Sequence, residues 1–148
     1  MYEIELLIHS WLKWIVLIAI FTNIYSIYQG YKTNKVFSKL DKIQSMITVA
    51  LVHTQFIIGS ALYYHSPITN AYLENSESLI EEKIIRFFSL EHSIMMLLAA
   101  ILLTIGFSIA KRKEDSKEKF KYLLIFYTIA LILILISIPW EIRPLFRF

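Results

Sequence analysis

The chain contains no cysteine. That absence excludes disulfides, thiolate-bound metals, a c-type haem attachment and an N-terminal lipid-modified cysteine. Glycine and proline are scarce, three of each, and no proline falls inside a long apolar run. Straight helices are therefore expected. Hydrophobic residues make up 57% of the chain and charged residues only 18%, whereas a soluble domain is typically about 45–50% apolar. The 148 residues leave room for one domain.

Four apolar stretches account for the excess, at residues 6–27, 43–64, 88–110 and 122–138. Each approaches or exceeds the roughly 20 residues that cross a ~30 Å hydrocarbon core as a helix. The first is too long for a cleavable signal peptide, and it has neither a basic region before it nor a small-residue cleavage site after it. The predicted fold is all-α, a single transmembrane four-helix bundle.

Basic residues orient it. Lys32, Lys35, Lys39 and Lys42 lie between the first two spans, and Lys111, Arg112, Lys113, Lys117, Lys119 and Lys121 between the last two. The opposite side carries Lys83, Arg86, Arg143 and Arg147, and Lys13 falls inside the first span. Ten against four places both basic loops in the cytoplasm and both termini on the outer, periplasmic side of a bacterial inner membrane. Trp11, Trp14 and Trp140 then fall near the outer boundary, where an aromatic belt is expected. Residues 66–87 form the one sizeable outer segment. It opens on a turn signal at Ser66-Pro67. From Ser78 an apolar stripe of Leu79, Ile80, Ile84, Ile85 and Phe88 predicts an amphipathic lead-in to the third span.

Three of the four histidines fall inside the spans, where ionisable groups are costly and tend to be functional. At 1.5 Å rise per residue, His9 and His92 both lie roughly 5 Å below the outer boundary, and His53 lies at roughly 16 Å. His9, Lys13, Val16, Ile20, Asn23 and Ile27 share one helical face, which should point into the bundle. His92, Met96, Ala99, Leu103, Gly106 and Ala110 form another face, whose small residues permit close helix approach or a flat ligand. The second span is polar on two sides, with His53, Ser60 and Tyr64 against Thr48, Gln55 and Gly59. It should touch two neighbours.

Spans one and three run in the same direction and would sit diagonally, so their inward faces can meet. Two imidazoles at one depth on facing helices suit a bis-histidine haem b, with basic groups at the mouth for the propionates. Lys13, Arg86 and Arg143 cluster at that end. Glu91 could hold an imidazole N–H or bind a basic side chain. His53 is the reserve ligand. The structural alternatives are plain ones. His9 and Lys13 can snorkel to the interface, and His92 and His53 can be hydrogen-bonded core residues. Met95 and Met96 can simply pack, Arg86 and Arg143 can anchor at the interface, and His65 reads as a surface residue.

The stretches His9-Ser10-Trp11-Leu12-Lys13-Trp14, His53-Thr54-Gln55 with Gly59, Arg86-Phe87 with Glu91-His92 and Met96, and Ile138-Pro139-Trp140 with Arg143 resemble a family of small bacterial four-helix membrane proteins usually labelled cytochrome b. The resemblance covers nearly the whole chain. That family more often has arginine where this chain has Lys13, which keeps the charge but loses the planar fork. The order His9, then Gln55 and Gly59, then His92 is also similar to one half of haem A synthase. This likeness implies the His9–His92 pair as ligands and places Gln55 beside the cofactor.

The leading expectation is a b-type haem protein, binding one haem, in electron transfer or as a haem-holding subunit. A single haem near one face cannot carry an electron across the membrane, so a quinone or redox partner protein would be needed. The other expected partners are membrane lipid and either further copies of the chain or a larger membrane complex; nucleic acid is not expected. The competing expectation is a cofactor-free structural or accessory subunit. A transporter or channel ranks last, because four short spans lack the broken helices of that class. No catalysed reaction is assigned.

Overall fold

The computed structural model describes residues 1–75, 78 and 81–140. Among these residues the protein is entirely helical, with no strands. We number the helices α1 (Tyr2–Lys32), α2 (Lys39–His65), α3 (Pro67–Glu74), α4 (Lys83–Arg112) and α5 (Ser116–Ser137). All but α3 are long and apolar enough to cross a membrane. At 1.5 Å per residue even α5 reaches about 33 Å. Their outward faces are apolar: Ile18 is 62% exposed, Ile57 67% and Ile136 66%. Such faces suit lipid and would be a liability in water. This is a multi-pass membrane protein.

The local signals explain the helix ends. Ser38 and Asp41 form a reciprocal capping box at the start of α2. Asp115 caps α5 by accepting the Glu118 N–H at 2.8 Å. Between α1 and α2, Asn34 takes a left-handed φ of 50°, which asparagine tolerates better than most residues.

Neighbouring pairs pack as α1–α2, α2–α4, α4–α5 and α5–α1, which leaves α1 and α4 across the diagonal. The face of α1 that carries His9 does point inward: Val16, Ile20, Asn23 and Ile27 are all buried. The small-residue face of α4 is occupied within the chain. A Cβ added at Gly106 would lie 2.4 Å from the Phe126 Cβ of α5, and Ala99 and Ala110 are buried as well. Toward the basic end, Tyr127 donates to the Ser45 carbonyl at 3.0 Å, and Asn23 Nδ2 reaches Ser45 Oγ at 3.5 Å. These contacts tie α1, α2 and α5 together where apolar burial gives helices in lipid little drive to associate.

Two details differ from expectation. The segment after Ser66 is the short helix α3 rather than a turn, with the Ser66 hydroxyl accepting from the Thr69 N–H and Pro67 in the first turn. Helix α4 begins earlier than residue 88 and passes through a π turn at Phe87–Glu91. Glu81 and Glu82 are not helical, so the lead-in helix starts at Lys83 rather than near Ser78, and Leu79 and Ile80 lie outside the described residues.

Candidate haem site between α1 and α4

His9 and His92 face each other across the bundle. Their ring centroids are 6.3 Å apart, with planes at 76°. The depth estimate placed both at one level, and the diagonal arrangement brings them together there. They line a cavity of about 580 Å³, with Lys13, Gln55, Gly59 and Met96 among its other walls. That volume lies within the roughly 300–1,000 Å³ common for small-molecule and cofactor sites.

His92 is held in a defined orientation. The π turn ends at its own N–H, which bonds to the Phe87 carbonyl. Its Nδ1–H donates to the Ser137 carbonyl at the end of α5, at 2.7 Å. A carbonyl can only accept, so the proton sits on Nδ1 and Nε2 keeps its lone pair. Ser137 Oγ donates in turn to the Leu133 carbonyl at 2.8 Å, and both Ser137 and Ser89 are buried beside the site.

His9 is positioned from α2. Gln55 Nε2 donates to the His9 carbonyl at 2.9 Å. One turn further along, Gly59 leaves room for the imidazole, since a Cβ there would lie 2.9 Å from Cε1 and 3.4 Å from Nδ1. Glycine is required by that close approach, not by its backbone angles.

The cavity wall also holds polar groups without a protein partner. Gln55 Oε1 and Ser89 Oγ are buried with no hydrogen bond among the described residues. Buried polar atoms are normally satisfied, and a ligand or an ordered water is the usual explanation of an exception.

The remaining candidates are placed as follows. Glu91 pairs with Arg86, Oε1 to Nε at 2.8 Å, so it binds a basic side chain rather than an imidazole. Lys13 lines the cavity and lies 5.0 Å over the Trp14 ring. Trp14 in turn is 6.4 Å from Trp140, which groups the aromatic belt at this end. Arg143 lies outside the described residues. His53 does not line the cavity. It sits exposed on α2, with Nε2 2.8 Å from Thr104 Oγ1 of α4. Thr104 already donates its hydroxyl proton to the Ala100 carbonyl, so His53 Nε2–H is the donor. His65 is more than a surface residue: its Nδ1 meets the Glu5 carboxylate at 2.9 Å and joins the start of α1 to the end of α2.

Among the described residues no three metal-ligating side chains converge. A metal held by protein groups alone would need such a cluster. Haem iron needs only two, because the porphyrin supplies the other four nitrogens. The two imidazoles stand edge-on at 6.3 Å between ring centres, within the ordinary range for a ring pair, and both line the same cavity.

Comparison with protein families, with curated proteins and with solved structures finds no match to this chain.

Proposed function

We propose that this chain is a b-type haem protein of the bacterial inner membrane, with His9 and His92 as the axial ligands and both termini on the outer side. The observation that carries the proposal is the pair of imidazoles, 6.3 Å apart between ring centres, that line one cavity in an apolar bundle. The His92 Nδ1–H to Ser137 bond supports it, because it fixes the tautomer that leaves Nε2 able to ligate. A bound haem would supply one-electron chemistry at its iron.

The chain's own groups define the rest. Gly59 keeps space for the His9 ring, and Gln55 joins α2 to the backbone of α1 beside it. Lys13 offers a cation at the cavity for a propionate. The apolar walls exclude water, which favours retention of an apolar macrocycle and tunes its potential. A quinone or a redox protein at the outer face would complete an electron-transfer role.

A reduced-minus-oxidised visible spectrum of protein purified from haem-replete cells tests the proposal. Wild type should give a low-spin b-type spectrum. His9→Ala and His92→Ala should each abolish it, and His53→Ala and His65→Ala should leave it intact. Loss with His53→Ala but not with His9→Ala would overturn the pairing. A wild-type protein without a Soret band would overturn haem binding, and the accessory-subunit function would take its place.

A further inference from the structure

At the opposite end of the bundle, Lys39 and Lys42 of α2, Lys111 of α4 and Lys119 of α5 converge on a second cavity of about 380 Å³. Its floor is apolar: Phe107, Ala110 and Leu123 line it, with Ala110 and Leu123 buried. Phe37 forms part of the wall, and Lys119 Nζ lies 5.5 Å from its ring centre.

Three of the acids at this end are committed elsewhere, and the fourth, Glu114, is exposed and in no ion pair among the described residues. Asp41 pairs with Lys35 at 2.8 Å, and Glu118 pairs with Lys113 at 3.0 Å. Asp115 caps α5. Among the described residues, none of the four cavity lysines forms an ion pair with a carboxylate. Four like charges around one concavity repel each other, so the arrangement favours an anion. The apolar floor lies near the end of α4 and the start of α5. The two features together fit an amphiphile with an anionic head.

We propose that this cavity binds an anionic glycerophospholipid from the leaflet at the basic end. The lysines hold the headgroup phosphate, and an acyl chain lies over Phe107, Ala110 and Leu123. Each ammonium is a compact point charge with three donors, suited to phosphate without demanding one geometry. The juxtaposition differs from the diffuse attraction of any basic loop to acidic lipid, which would depend only on charge number. The proposal is independent of haem binding at the other end.

The test uses full-length protein reconstituted in phosphatidylcholine vesicles with increasing phosphatidylglycerol, read by thermal unfolding. Two variants of equal charge change are compared: Lys39→Gln/Lys111→Gln in the cavity, and Lys32→Gln/Lys121→Gln outside it. Wild type and the outside pair should be stabilised at similar phosphatidylglycerol fractions, whereas the cavity pair should need at least about fivefold more. Equal shifts in both pairs would show diffuse surface attraction and overturn the site. Absence of any stabilisation of wild type would overturn it too. A matching stabilisation by millimolar inorganic phosphate in pure phosphatidylcholine would show a free-anion site and overturn the lipid assignment.

Discussion

Replacing Gly59 should separate the cofactor site from the fold. The position lies inside α2, where alanine is intrinsically favoured over glycine by about 0.8–1 kcal/mol. A methyl there would sit 2.9 Å from His9 Cε1, whereas ordinary contact begins near 3.4 Å, so the ring must retreat by about 0.5 Å. Metal-ligand distances tolerate only about ±0.2 Å, so on the proposed haem ligation the displacement would strain a bond from His9. Gly59→Ala should weaken haem binding about tenfold, or about 1.4 kcal/mol. Gly59→Val, with two further carbons against the imidazole, should abolish it. The assay is haem titration into apoprotein, followed at the Soret band, beside thermal unfolding of the apo form by circular dichroism. The apo form of Gly59→Ala should melt at or above the wild-type temperature. Wild-type haem affinity in Gly59→Val would refute the reasoning. So would a collapse of the apo fold in Gly59→Ala, which would make the glycine structural.

Gly106→Val should destabilise the bundle by about 1–3 kcal/mol, the usual range for overpacking, because its side chain meets the Phe126 Cβ at the α4–α5 contact; unfolding in mixed detergent measures it. Tyr127→Phe should cost about 0.6 kcal/mol, typical of an interhelical hydrogen bond in a membrane, since it loses only the bond to the Ser45 carbonyl. Cysteines at Lys35 and Lys117 should be shielded from an impermeant thiol reagent in intact cells while one at Asn75 reacts. The reverse pattern would invert the topology.

Much of the architecture was legible because lipid makes a simple demand: each span must be long and apolar, and its few polar groups must face inward. That logic located all four spans, the inward face of α1 and the common level of His9 and His92. It left the small residues on α4 open to either a close helix contact or a flat ligand, and periodicity could not say whether a helix partner would be internal. The Phe126 contact makes it α5. The outer segment was harder. Ser66-Pro67 carries both a turn signal and the signature of a helix cap followed by proline at the first position, and the structure takes the second. At His53 depth and polarity describe a donor to Thr104 as well as they describe a reserve ligand, so the pattern alone left both open. The Ser137 partner of His92 left no trace in the sequence pattern, since every residue carries a backbone carbonyl.

The π turn at Phe87–Glu91 was also invisible, and it bears directly on the site. An extra residue in one turn rotates the helix before it by about 100° relative to the helix after it. His92 is the first residue beyond the turn, so the turn sets how Arg86 and Phe87 lie around the imidazole. Two carbonyls of the turn accept from side chains. Here Ser93 Oγ donates to the Phe88 carbonyl at 3.2 Å, and the Tyr63 hydroxyl of α2 donates to the Ser89 carbonyl at 3.1 Å. The irregular turn is thus stitched to α2, the same helix that positions His9 through Gln55 and Gly59. Although the two histidines stand on α1 and α4, α2 lies between those helices and contacts both. Helix α2 thus supports both histidines from one side, as α5 supports His92 through the Ser137 carbonyl. The polarity of α2 on two sides has a physical cause in that arrangement: one side carries Gln55 toward α1, and the other carries His53 and Tyr63 toward α4.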